Sequence, residues 1–274
     1  MTNNNPQICF IGGGNMAHSL IGGLISNGSS ANDIYACDIN AETLSDLAQQ
    51  YDIHISQDNK ESVENADIIL LAVKPQVLQQ VCLNLANSNF RSGVLFISIA
   101  AGIREQDINH WLGENRAVIR CMPNTPALVG LGATALYANE QVSNTQKADA
   151  EAILSAVGIT VWVEMQSQLD AVTAISGSGP AYFFLFIEAL QNAAVELGLE
   201  PEIAQKLAQQ TALGAATMAI GNNVAELRQQ VTSKGGTTEQ AIASFQQQGL
   251  EKLVKSATLA ANNRSIELAE ILSK

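Results

Sequence analysis

The stretch ICFIGGGNMA, residues 8–17, joins an apolar run to a glycine cluster and then to a helical pattern. Its first four residues read as a short strand. The segment that follows the glycines, NMAHSLIGGLISNG, reads as an amphipathic helix closed by Gly28. Between them, Gly12-x-Gly14-x-x-Ala17 has a spacing with a mechanical meaning. The first glycine makes the tight turn, and the second lets backbone approach a pyrophosphate. The small third position lets the helix pack on the strand. Free N–H groups and the helix dipole would then hold the diphosphate, with Gly13, Asn15 and Met16 in the same turn. A glycine-rich turn of no function is the bland alternative, and the strand–turn–helix placement disfavours it. The next strand-like run, DIYACD, ends at Asp38, about 20 residues past the fingerprint, where an acid grips the ribose hydroxyls. Asp38 disfavours a ribose 2′-phosphate, and no Lys or Arg precedes Lys60 to welcome one. Local charge leans towards NADH, although Lys60 and Lys74 are cations that neighbouring loops can bring in. Either NADPH or NADH is therefore left open as the cofactor.

Working outward, strand and helix signals alternate. AETLSDLAQQYD is helical and IHIS is a short strand. DIILLAV and GVLFISIA are continuous apolar runs separated by the helical QVLQQVCLNLAN. Strands apolar on both faces and spaced by helices imply a parallel sheet covered on both sides. RAVIRCMP and ATALYAN extend the sheet, and ITVWVE closes it. Beyond Glu164 the strand signal ends, and the rest is helical by periodicity, including one long pattern from Thr238 to Leu272. Gly198 and Pro201 punctuate it as a helix end and restart. The fold class expected is an α/β Rossmann domain with a mostly parallel sheet, residues 1–164, followed by an all-α substrate and dimerisation domain, residues 165–274.

Composition narrows the function classes. A net charge of −12 argues against a nucleic-acid partner, since phosphate neutralisation needs clustered Lys and Arg. AYFFLFI, residues 181–187, is far short of a membrane span, and the start has no basic region of a secretory signal. The four cysteines, Cys9, Cys37, Cys82 and Cys121, form no CxxC pair. They read as buried thiols of a soluble, cytoplasmic protein. His18, His54 and His110 are isolated, so no metal site is expected.

In an open parallel sheet ligands gather at the carboxyl ends of the strands. Ala72, Val73, Lys74 and Pro75 fall there, as do Ala100, Ala101 and the segment MPNTP, residues 122–126. SGSGP, residues 176–180, reads as a helix–helix corner or a substrate-side loop. No Gly-x-Ser-x-Gly elbow supports a hydrolase. TSKGGTT, residues 232–238, is not a P-loop, because Lys234 precedes the glycines. Two glycines followed by threonines that open a helix make an anion nest, with Thr237 or Thr238 near the N-cap and free N–H groups from Gly235 to Thr238. A plain interhelical turn is the alternative.

Taken together, IGGGNMA, AVKPQ, SIAAGI, RCMPNTPALVG, DAVTAISGSGPAYFF and LRQQVTSKGGTTEQAI resemble the pyrroline-5-carboxylate reductases, in that family's order and over nearly the whole chain. The last two segments are the specific ones. The resemblance implies reduction of the cyclic imine 1-pyrroline-5-carboxylate to L-proline by NADPH or NADH, the last step of proline biosynthesis. It also implies a homodimer, or a higher oligomer, made through the helical domain. It puts Gly12, Gly14, Asn15 and Met16 at the diphosphate and Asn59 at the adenosine ribose. Residues 72–75, with Ala100 and Ala101, then line the way to the nicotinamide. Ser233, Gly235, Gly236, Thr237 and Thr238 receive the substrate's carboxylate and ring nitrogen, with Thr238 as the catalytic donor. Many members have Pro where Lys234 stands. Members that prefer NADPH often have small polar residues near Asp38. A β-hydroxyacid dehydrogenase would need a Lys on the helix after SGSGP, but the first Lys there is Lys206. A non-catalytic dinucleotide-binding module would leave the Gly235-Gly236 loop without a task.

Overall fold

The structure is a computed structural model that describes residues 5–272. Its strands are β1 (Ile8–Ile11), β2 (Ile34–Cys37), β3 (His54–Ser56), β4 (Ile68–Leu71), β5 (Leu95–Ser98), β6 (Ala117–Met122), β7 (Gly132–Ala138) and β8 (Gly158–Trp162). They form one sheet in the order β3-β2-β1-β4-β5-β6-β7-β8. Every pairing is parallel except β6 with β7. Helices α1 (Asn15–Ser26), α2 (Ala41–Tyr51), α3 (Asn59–Val63), α4 (Pro75–Leu85), α5 (Glu105–Trp111) and α6 (Asn144–Ser155) lie between the strands in sequence.

Alternation along the strands feeds two cores. Ile8 and Phe10 of β1 belong to the layer that includes Leu20, Leu44 and Ile153 of α1, α2 and α6. Cys9 and Ile11 face the other layer, with Val63, Leu78 and Ile108 of α3, α4 and α5. Both faces are therefore apolar, as the continuous runs require. The chain leaves β1 towards β2 and β3, then returns across the sheet to β4, so the strand order reverses between β1 and β4. That switch point opens a crevice at the strands' carboxyl ends.

No strand follows Trp162 among the described residues. The helices there are α7 (Gln168–Val172), α8 (Gly179–Glu196), α9 (Pro201–Ala219), α10 (Val224–Gln230), α11 (Thr237–Gln247) and α12 (Leu250–Leu272). Two details depart from the periodicity. The long pattern from Thr238 is two helices, because Gly249 takes a left-handed φ of 79° and ends the first. SGSGP runs from a π turn into a helix: Thr173–Gly177 forms the π turn, with Ser178 N–H donating to Thr173 O at 2.8 Å, and α8 begins at Gly179. Such wide turns frequently sit at functional sites. By contacts the chain makes two compact units. One runs to Ser178 and includes the stretch from Ala261 onward, and the other is Gly179–Ala260. The sequence boundary after Glu164 falls inside the first unit, between β8 and α7.

Candidate functional site

The fingerprint turn lies where the ends of β1, β2 and β4 meet. Gly12 N–H donates to Cys37 O at 2.7 Å, and Ala72 N–H donates to Ile11 O at 2.8 Å. Gly12 has a φ of 105°, and a Cβ there would lie 2.6 Å from Ala72 O and 3.1 Å from a Val73 methyl. Only glycine fits. Gly13 N–H donates to Asp38 Oδ2 at 2.7 Å, and a Cβ on Gly13 would lie 2.9 Å from the Thr43 methyl. Gly14 is different, since a Cβ placed there would face open space with nothing within 4 Å. It is the N-cap of α1, with no side-chain cap and no acid in the first turn. A helix start left open in this way, beside a glycine that leaves room, fits a dinucleotide diphosphate.

Structure thus brings Gly12, Gly13, Gly14, Asp38, Ala72 and Val73 together. Asn15 is exposed at the start of α1, while Met16 packs partly against the core. A cleft of about 630 Å³ is lined by Gly13, Gly14, Asn15, His18, Thr43 and Gln50, among others. Sequence reasoning missed Thr43 and Gln50, because only the α1–α2 pairing brings them there. His18 has both ring nitrogens engaged, Nε2 with Gln50 Oε1 at 3.0 Å and Nδ1 with the Tyr51 hydroxyl at 3.2 Å. Asn59 begins α3, which packs against β1 and β2. Lys74 is the exposed N-cap of α4 with Pro75 at its first position, the N-terminal place where proline's missing N–H costs nothing. Ala100 is buried and Ala101 exposed just beyond β5.

Two further motifs are joined in the same unit. Asn124 of MPNTP donates through Nδ2 to Ser176 O at 3.0 Å and accepts from Ala133 N–H at 2.9 Å. A Cβ on Gly177 would lie 2.5 Å from Met122 Cε, so the glycine of the π turn lets the two segments pack. Asp170 accepts from the Ser265 hydroxyl at 2.7 Å. The Arg120 guanidinium is buried, which lowers its pKa, while Asp170 opposes that shift. Burial raises the Cys37 thiol at the end of β2, and the Asp58 and Asp38 carboxylates add to the rise. All four cysteines are buried free thiols. Among the described residues no His, Cys, Asp and Glu group could hold a metal.

In the second unit, the loop between α10 and α11 carries Ser233, Gly235 and Gly236, and Thr237 and Thr238 follow it. Here the structure corrects the nest expected from sequence. Gly236 is the N-cap of α11, and Thr237 and Thr238 stand next to it at the first two helical positions. Gly235, with a φ of 74°, gives its N–H to Glu239 Oε2 at 2.7 Å. Gly236 N–H donates to Ser233 O at 3.0 Å. The two glycine N–H groups are therefore spent internally. Those of Thr237 and Thr238 have no intramolecular acceptor among the described residues, and no side chain caps the helix.

Comparison with known proteins decides the family. The chain is 52% identical to the pyrroline-5-carboxylate reductase of Pseudomonas aeruginosa, over 98% of this chain and 99% of that one. The chain belongs to the pyrroline-5-carboxylate reductase family. Residues 166–268 match the family model described as pyrroline-5-carboxylate reductase dimerisation, and residues 7–102 match one described as NADP oxidoreductase, coenzyme F420-dependent. Among solved structures, the chain is similar to a pyrroline-5-carboxylate reductase of Coxiella burnetii, with 46% identity and a TM-score of 0.94 over 97% of this chain and 99% of that one. It is also similar to the Plasmodium falciparum pyrroline carboxylate reductase with NADP bound, with 30% identity, a TM-score of 0.83 and coverage of 97% and 98%. An α/β domain followed along the chain by a helical region is thus the fold this chain shares with these reductases.

Proposed function

We propose that this chain reduces the C=N bond of 1-pyrroline-5-carboxylate with NADPH or NADH, giving L-proline. The observation that carries the proposal is near full-length identity to a named reductase, on a chain whose fingerprint turn fits a dinucleotide. Gly12, Gly13, Gly14, Asn15 and Met16 form the diphosphate turn, and Asp38 and Asn59 serve the adenosine end. Ala72, Val73, Lys74, Pro75, Ala100 and Ala101 line the strand ends towards the nicotinamide. When bound, the reduced nicotinamide supplies the hydride that goes to C5 of the imine.

The loop before α11 serves the substrate. The open N–H groups of Thr237 and Thr238 donate to the carboxylate at the positive end of the helix. Ser233, Gly235 and Gly236 fix the turn that presents them. The Thr238 hydroxyl donates a hydrogen bond to the ring nitrogen and favours the more reducible iminium. A hydroxyl is too weak an acid to surrender its proton outright at neutral pH, so Thr238 either polarises the imine or passes its proton on only as it takes another from solvent. Residues 165–274 also make the homodimer, consistent with the family model described as dimerisation. No helix among the described residues is long and apolar enough to cross a membrane, and four free buried thiols suit a reducing cytoplasm.

The test is oxidation of NADH and NADPH by the purified protein with and without pyrroline-5-carboxylate. Imine-dependent oxidation with proline as product is expected. No activity with either cofactor would overturn the proposal, and activity only on a β-hydroxyacid would favour the dehydrogenase alternative.

A further inference from the structure

The nucleotide end of the first unit sorts its helix starts into two kinds. α1 is open, with no capping side chain and no acid in its first turn. α2 and α3, which follow β2 and β3, are closed. Asn40 Oδ1 accepts from Glu42 N–H at 2.9 Å and Thr43 N–H at 3.4 Å. Asp58 Oδ1 accepts from Lys60 N–H at 2.8 Å and Glu61 N–H at 3.4 Å. Both closed first turns also carry an acid, Glu42 and Glu61. The two loops are tied together by Gln57 Nε2, which donates to Ile39 O at 2.9 Å.

Between the open and closed starts stands Asp38. Its Oδ2 accepts from Gly13 N–H at 2.7 Å and its Oδ1 from Asn40 N–H at 2.9 Å. Each oxygen keeps a lone pair for a further donor, because a carboxylate offers about four acceptor sites. From this geometry we infer that the protein selects NADH over NADPH, with Asp38 as the specificity-determining residue. The inference rests on the fingerprint turn being the dinucleotide site. Adenosine ribose hydroxyls are donors and match a fixed acceptor. A 2′-phosphate has no donor to offer and brings about two negative charges against a carboxylate that two N–H groups hold in place. The backbone N–H groups that would otherwise receive it, at the starts of α2 and α3, already serve Asn40 and Asp58. Lys60 is the only basic residue in the β2–α2 and β3–α3 loops and their first helical turns, and it is solvent-exposed. Lys74 is the N-cap of α4, beyond β4 and two strands from β2.

The test is direct binding, without imine. NADH and NADPH are titrated into the purified full chain and followed by calorimetry. Wild type should bind NADH at least about tenfold more tightly. Asp38→Asn keeps the shape and loses the charge, so the NADPH-to-NADH affinity ratio should rise about tenfold. Ile39→Arg, at a side chain 90% exposed, adds a cation without touching the core and should also raise that ratio. A merely structural Asp38 would lower both affinities together. The inference is overturned if wild type binds NADPH as tightly as NADH, or if Asp38→Asn leaves the ratio unchanged. Should Asp38→Asn misfold, wild type and Ile39→Arg decide: a risen ratio upholds the inference and an unchanged one overturns it. Failure to bind either nucleotide overturns the dinucleotide reading and this inference with it. NADH-selective binding without imine turnover upholds the selectivity while the reductase proposal falls.

Discussion

Thr238 differs from four threonines in or just after helices in what its hydroxyl does. Thr173, Thr217, Thr232 and Thr258 each give their hydroxyl proton to the carbonyl four residues back. Thr238 stands at the second position of α11, preceded by a loop, and no intramolecular bond holds its hydroxyl among the described residues. An exposed hydroxyl beside two open N–H groups suits a ligand. Thr238→Ala should lower kcat about 100-fold, the scale for losing one aimed donor, and Thr238→Ser should keep most of the rate. Nucleotide affinity, measured separately, should not move. A Thr238→Ala protein with normal turnover would end the proposed role. At this scale the sequence is uneven. Gly12 and Asp38 were legible because the turn's spacing dictates them. The pairing of Gly235 with Glu239 was not, because it depends on the left-handed turn at Gly235 bringing a side chain four residues on back to the loop.

Among the elements, legibility follows how local the determining force is. Runs apolar on both faces marked the parallel strands, and both cores use them as such. Helix α6 escaped the periodicity, yet Ser143 and Gln146 form a full capping box that a S-x-x-Q search would have found. The split at Gly249 was hidden because a lone glycine leaves a helical period intact. The π turn was hidden because its one extra residue does too. The pairing of β7 with β8 is another non-local fact. Gly132 N–H donates to Val157 O at 2.8 Å, and a Cβ on Gly158 would overlap the Gly132 backbone. Gly158→Val should therefore pry β8 from the sheet's edge and cost about 2 kcal/mol or more. The urea midpoint should fall accordingly, and an unchanged midpoint would show that the edge relaxes freely.

For the whole molecule, burial is unequal. The first unit has two layers of fully buried side chains around its sheet. Between Gly179 and Ala260 the only buried apolar side chains are Ala204 and Ala208. Phe183, Phe184, Leu185, Leu207, Leu213 and Met218 are each more than half exposed. Helical periodicity in these segments is real, but a stripe has to be covered by something to stabilise its helix. Each Phe or Leu so covered contributes about 1.5–3 kcal/mol, so several on each copy together match the roughly 4–15 kcal/mol that association costs. In the proposed homodimer the second copy covers them, so folding of this unit and association are one equilibrium. Thermal stability should then rise with protein concentration, as for any state stabilised by its own copy. Phe184→Glu, which puts a charge on the apolar face, should sediment as a monomer where wild type is a dimer, with a lower Tm that no longer depends on concentration. A Phe184→Glu protein that stays dimeric with unchanged Tm would place the contact elsewhere. A monomeric wild type would remove it altogether.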